Sequence, residues 1–313
     1  MRPLRVSVTC RERGHRAALG DDRTPAVSAP VTIVYAVLAA LGNAINVITQ
    51  HTASVSAPSR SSGWRFVGYL ARNRLWLFGW IALAAAFVFQ ALALHSGPMS
   101  VVQPLLVTEL VFALVLRRVW IHQSIRAVTW WAAVATCVGL GVFLATSEPQ
   151  GGRVFPASHA WLSAGGATIG AAALLTLLSM RGTPQRRAAL LACATAIMWA
   201  LVATFIKTMT DTLSQFGVGG MFAHWPVYAL AASGAVTEIL EQATLHVGPL
   251  SVSQPFLVIV DPIVSIALSV WIFEEYFTEN VLRLALGSAS FVIMSAAVAV
   301  LTRTAPASMS ASR

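Results

Sequence analysis

Leu94-His95-Ser96-Gly97-Pro98-Met99-Ser100-Val101-Val102-Gln103-Pro104-Leu105-Leu106-Val107 returns later in the chain as Leu245-His246-Val247-Gly248-Pro249-Leu250-Ser251-Val252-Ser253-Gln254-Pro255-Phe256-Leu257-Val258. Ten of the fourteen pairs are identical, and the same offset carries Val119-Trp120-Ile121 onto Val270-Trp271-Ile272 without a gap. Both copies lie inside long apolar stretches, so the chain reads as a duplicated membrane unit. Duplicated units with helices broken by proline at matching places are a building plan of secondary transporters.

Composition agrees. The chain is 57% hydrophobic and 11% charged, with mean hydropathy +0.71, outside the range of ordinary globular domains. A net charge of +9 in a soluble protein points to nucleic acid. Here the arginines punctuate apolar runs of about twenty residues, the length that crosses a bilayer core, so the basicity reads as topogenic. No nucleic-acid partner is expected. The three cysteines, Cys10, Cys137 and Cys193, form no CxxC pair, and indicate neither a disulfide framework nor a zinc site.

Nine apolar runs follow an arginine-rich tail at residues 1–29 that lacks the pattern of a signal peptide. They are Val31 to Gln50, Leu75 to Leu94, Pro98 to Leu116, Ala127 to Ala145, Trp161 to Leu178, Ala188 to Ile206, Trp225 to Leu245, Pro249 to Ile272 and Val281 to Leu301. The expected fold is an all-α polytopic membrane protein of about nine helices. Its first repeat of four helices spans 30–147, a connector helix 148–182, a second repeat of four 183–303, and a tail 304–313. The two His-x-Gly-Pro segments join helices two to three and seven to eight as tight hairpins. Glycine suits a helix end, proline the first position of the next helix, and His95 and His246 are expected to cap these hairpins at the interface.

Arginine counting sets the expected orientation. With the N-terminus outside, inward segments carry Arg60, Arg65, Arg72, Arg74, Arg117, Arg118, Arg126, Arg181, Arg186, Arg187, Arg303 and Arg313. Outward segments carry Arg153, Lys207 and Arg283. Twelve against three is a positive-inside signal for the plasma (inner) membrane with a cytoplasmic C-terminus. The six arginines of the tail oppose it, but most lie far from the first span, where the rule weakens. Because the repeated segments begin helices three and eight, five spans apart, the two copies run in opposite directions: an inverted-topology repeat.

The Gly-Pro hairpin, the Ser-x-x-Gln-Pro helix and the Gly-rich last helix resemble the EamA-type drug/metabolite transporter superfamily. Gln103-Pro104-Leu105-Leu106-Val107 and Trp225-Pro226-Val227-Tyr228-Ala229-Leu230 look like segments of its actinobacterial members. The resemblance covers Val31 to Arg303. It implies an alternating-access transporter, speaks well to fold and poorly to substrate, and is built on ten helices in two repeats of five with cytoplasmic termini. This chain departs by lacking the first helix. Nine spans are also similar to the NIPA-type magnesium transporters of the same superfamily.

Polar residues within the runs carry the mechanism. Asn43, Asn46 and Gln50 share one face of helix one, where they either line a solute path or bond to neighbouring helices. Gln103 and Gln254 are matched by the repeat, and each precedes a mid-helix proline, Pro104 or Pro255. These prolines free the carbonyls of Ser100 and Ser251, and such paired breaks point to a transport site. Four acids fall inside spans: Glu109, Glu238, Glu241 and Asp261. Burying a charge at the membrane centre costs about 2.5–3.5 kcal/mol, and no arginine or lysine is expected mid-span as a counter-ion. The acids are therefore either protonated or neutralise a cation, with Asp261 and Glu241 the foremost coupling residues. Structural alternatives are carboxyls bonded to a neighbouring helix, tryptophans (Trp76, Trp120, Trp130, Trp161, Trp225, Trp271) as an interfacial belt, and Glu274, Glu275 and Glu279 as a solvated loop.

The expected function is secondary transport of a small metabolite or drug-like solute, export included, driven by an ion or proton gradient. Magnesium or another divalent cation is one alternative; a membrane scaffold or partner of a lipid-carrier flippase is another. No nucleophile elbow, phosphate loop or zinc-ligand signature points to an enzyme or a cofactor. The expected partners are the solute or ion, the bilayer and, through an exposed span, a second copy of the chain.

Overall fold

The computed structural model describes residues 29–55, 73–120, 122, 124–148, 152–153, 156–247 and 250–304. The tail before residue 29, the segment carrying Arg60, Arg65 and Arg72, the Gly248-Pro249 turn, the His246 side chain and the end beyond Thr304 lie outside them.

Among the described residues there are helices and loops and no strand. They are α1 (Ala29–Val55), α2 (Arg74–Ser96), α3 (Met99–Leu106), α4 (Glu109–Trp120), α5 (Ala127–Ser147), α6 (Ser158–Leu178, opening through a π-helical turn at Trp161–Gly165), α7 (Pro184–Ala223), α8 (Pro226–Val247), α9 (Leu250–Phe273) and α10 (Val281–Thr304). Eight spans among the described residues, α3 and α4 counting as one, are long and apolar enough to cross a membrane. The seventh expected run, Trp225 to Leu245, forms α8, but with Glu238 and Glu241 it falls outside that set.

Large apolar side chains face outward, among them Phe78, Ile81, Trp131, Leu162, Leu177, Val281 and Val292, while much of the core is alanine. Without a hydrophobic drive between helices in lipid, association depends on close backbone approach across small residues. A Cβ on Gly42 of α1 would lie 2.9 Å from Ala86 Cβ of α2, and one on Gly139 of α5 3.1 Å from the Ser290 carbonyl of α10. These are the two most extensive antiparallel pairs, α1 with α2 and α5 with α10. Likewise α7 pairs with α8, α1 packs on α3 and α4, and α7 packs on α9.

Two elements differ from expectation. The third span breaks at Val107-Thr108, three residues beyond Pro104, where Val107 N–H donates to the Pro104 carbonyl (3.3 Å) and Thr108 N–H to that of Leu105 (3.0 Å). Its repeat partner α9 stays helical through Pro255 and Pro262, since packed neighbours let a membrane helix absorb a proline. The sixth span runs well past Ile206. Thr208, Thr210 and Thr212, which read as loop, return their hydroxyls to the carbonyls of Thr204, Ile206 and Thr208 (2.8–3.0 Å), hiding a polar run inside a helix. The helical run is interrupted at Gly217 (φ 67°, ψ −174°), where the chain reverses and brings Trp225 to 5.9 Å from Phe205.

Candidate functional site

Three of the membrane acids come together from three helices. Glu109 opens α4 immediately after the break, Glu241 lies on α8, and Asp261 sits near the middle of α9. Glu109 interacts electrostatically with both Glu241 and Asp261, and Asn43 of α1 hydrogen-bonds to Glu109. Trp199 of α7 donates its indole N–H to Glu241 Oε2 at 2.7 Å, and Ser265 donates to Asp261 Oδ1 at 3.1 Å. Each of the three acids keeps part of its surface exposed. The reason lies in the packing: α4 lies along α1 and makes no extended contact with α8 or α9, and α8 touches α9 over a short stretch. The acids thus approach one another from helices that are not packed closely together, α4 on one side and α8 and α9 on the other.

The other expected residues divide. Glu238 is exposed, accepts from Gln242 at 2.9 Å and flanks Glu241 electrostatically. Asn46 accepts from Gln50 at 2.7 Å beside Gly79 of α2, away from the acids. The polar face of α1 therefore serves two neighbours. Gln103 is buried at 3% exposure with its amide nitrogen unpartnered, and Gln254 and Pro255 lie partly and fully buried in α9. Among the described residues, no three of His, Cys, Asp and Glu stand close enough to hold a metal ion.

A second polar cluster was not anticipated. Lys207, expected in an outward loop, is 1% exposed on α7 and donates to the carbonyls of Leu94 (2.9 Å) and Gly97 (3.0 Å), with its Nζ 5.3 Å from the Phe273 ring centre. A buried lysine thus exists where no counter-ion was expected. Glu275, expected in a solvated loop, is 2% exposed and accepts from Met99 N–H (2.7 Å), Ser100 N–H (3.0 Å) and the Ser100 hydroxyl (2.6 Å). Glu274 and Glu279 do remain exposed. His95 pairs with Asp211, Nδ1 to Oδ1 3.0 Å, and Asp211 Oδ2 is buried without a partner. Trp161 stacks on Phe205 with ring centres 5.3 Å apart, and Trp225 meets the two rings edge-on at 5.1 and 5.9 Å.

Gly97 sits at the end of α2, where the sequence reading puts it, without the left-handed turn common at such ends. Its backbone is extended (φ −162°), and what it supplies is room: a Cβ there would meet Thr32 of α1 at 2.5 Å, whose hydroxyl donates to the Ser96 carbonyl at 3.0 Å.

Ion pairs and backbone bonds place several loops at one end of the bundle. Arg153 N–H reaches the Phe273 carbonyl, Arg153 pairs with Glu274 at 2.9 Å, Arg283 with Glu148, and Thr278 N–H reaches the Ser147 carbonyl at 3.1 Å. Phe273 and Glu275 tie this group to the α2–α3 hairpin.

The chain is 27% identical over 253 residues to an uncharacterized protein of Corynebacterium glutamicum, an alignment covering 79% of this chain and 86% of the relative. No family model and no solved structure matches the chain.

Proposed function

We propose that the chain is a secondary active transporter of a small metabolite or drug-like solute, working by alternating access and coupled to a proton or ion gradient. The observation that carries this reading is the approach of Glu109, Glu241 and Asp261 from three loosely packed helices within an apolar helical bundle. Acids in a membrane interior mark ion and substrate pathways. Asn43, Trp199 and Ser265 supply the neutral hydrogen-bonding partners that orient such a site.

Packing supports the inverted repeat. α1 with α2 and with α3–α4 is mirrored by α7 with α8 and with α9, while α5 and α10 pair with each other. That leaves α6 as the connector, as the resemblance to EamA-type transporters implies. The hairpin end gathers Arg153 of the loop before α6, Lys207 of α7 and Arg283 at the start of α10, which favours its assignment to the outside and of the arginine-rich end to the cytoplasm. The magnesium reading asks for carboxylates gathered with water on one ion. No such group stands among the described residues, so the solute reading is preferred.

The test is solute-driven proton movement in proteoliposomes that enclose a pH dye, challenged with a panel of amino acids, nucleosides, sugars and ethidium. Wild-type protein is expected to move protons with at least one solute, and Asp261→Asn and Glu241→Gln to abolish that response. Equal responses from all three proteins, or none above empty liposomes for any solute, would overturn the reading.

A further inference from the structure

A helix ends with carbonyls that lack partners and begins with N–H groups that lack them, and a two-helix hairpin concentrates both at one point. At His95-Ser96-Gly97-Pro98 neither set is satisfied by a local cap alone. The carbonyls of Leu94 and Gly97, at the negative end of α2, take the Lys207 ammonium; the N–H groups of Met99 and Ser100, at the positive end of α3, take the Glu275 carboxylate. A third tie joins His95 to Asp211, one turn beyond Lys207 on α7. All three partners come from the second half of the chain and all three are buried, at 1% for Lys207 and Asp211 and 2% for Glu275.

We propose that the α2–α3 hairpin is the gate closing that end of the bundle, and that Lys207, Glu275 and the His95–Asp211 pair are its latch. The proposal rests on the transport reading. A buried charge is tolerated only with its partners in place. If the hairpin moves away, both the ammonium and the carboxylate must be hydrated together, so the latch has two states, closed and dry or open and wet, with little between. Beneath it the closed state is sealed by Leu94, Met99, Val102, Ile206, Ile272 and Phe273, packed in one apolar cluster. On this proposal Glu109, Glu241 and Asp261 are reached from the opposite, arginine-rich end.

The latch residues are not repeated in the sequence: the offset that relates the two hairpins carries Lys207 to Ser56 and Glu275 to Ser124, both uncharged.

The experiment reads access rather than transport. In a background of Cys10→Ser, Cys137→Ser and Cys193→Ser, a reporter Thr108→Cys beside Glu109 is reacted with a membrane-impermeant maleimide in right-side-out and inside-out vesicles. A separate Ser214→Cys, exposed next to Asp211, marks the hairpin face. With the latch intact, the reporter is expected to react from the arginine face and at least tenfold more slowly from the hairpin face. Lys207→Met and Glu275→Gln should each raise hairpin-face labelling about tenfold. Unchanged hairpin-face labelling in variants that still react from the arginine face would overturn the proposal. Should Lys207→Met not reach the membrane, Glu275→Gln and Ser100→Ala, which weaken the latch without stranding an amine, decide it by the same criterion. Latch variants that open while no solute moves protons would sink the transport reading and leave the gate standing.

Discussion

Lys207 and Glu275 hold the two ends of one hairpin, and their removal separates the energetic role from the gating role. Glu275 accepts three hydrogen bonds at a buried site, and bonds to a charged group contribute about 1.5–3 kcal/mol. Glu275→Ala is expected to lower stability by about that amount, and Glu275→Gln by less, read as thermal unfolding of the detergent-solubilised protein by tryptophan fluorescence. Trp199→Phe removes the donor to Glu241 and is expected to cut solute-driven proton movement while leaving the melting curve within a few degrees of wild type. An unaltered response would take Glu241 out of the site. At this scale the sequence flagged Glu109, Glu241 and Asp261, because acids in apolar runs stand out. It did not flag Lys207, which follows the apolar run at Ile206 and reads as loop, nor Glu275, whose partners are backbone N–H groups far away in the chain.

Helix packing here depends on where glycines have neighbours. Gly42 meets α2 and Gly139 meets α10, whereas a Cβ on Gly170 of α6 would have nothing within 4 Å. Gly42→Leu is therefore expected to destabilise the α1–α2 pair by about 1–3 kcal/mol through overpacking, while Gly170→Ala should be neutral or raise stability by up to about 1 kcal/mol. Size-exclusion profiles after a heating series distinguish the two. Gly217→Ala should weaken the reversal between α7 and α8, since its φ of 67° is one that side chains other than glycine rarely adopt. The helices themselves were readable from apolar run length. The break at Val107-Thr108 was displaced from its expected place, because proline removes one bond but the surrounding packing decides where the chain yields. The threonine run of α7 escaped notice because its hydroxyls are satisfied within the helix.

For the whole molecule, topology is the property that unites sequence and structure. Ser214→Cys at the hairpin end and Gln185→Cys beside Arg186, both at exposed positions, are expected to label from opposite faces of the membrane. Ser214 should be outside and Gln185 inside. Labelling of both from one face would contradict the alternating path of the chain, and reversed labelling would contradict the arginine count alone.

The sequence by itself determined that this is an apolar, helical, duplicated membrane protein, because bilayer thickness sets run length and the repeated Gly-Pro and Gln-Pro segments survive as local patterns. It also marked the acids, whose cost in lipid is a property of each residue alone. Only the tertiary structure decided which acids meet, how the polar face of α1 is shared between α4 and α2, and that one hairpin is held by two buried charges of opposite sign. Those facts depend on contacts between residues distant in the chain, more than a hundred positions apart for the two charges that hold the hairpin, where no local spacing carries a signal.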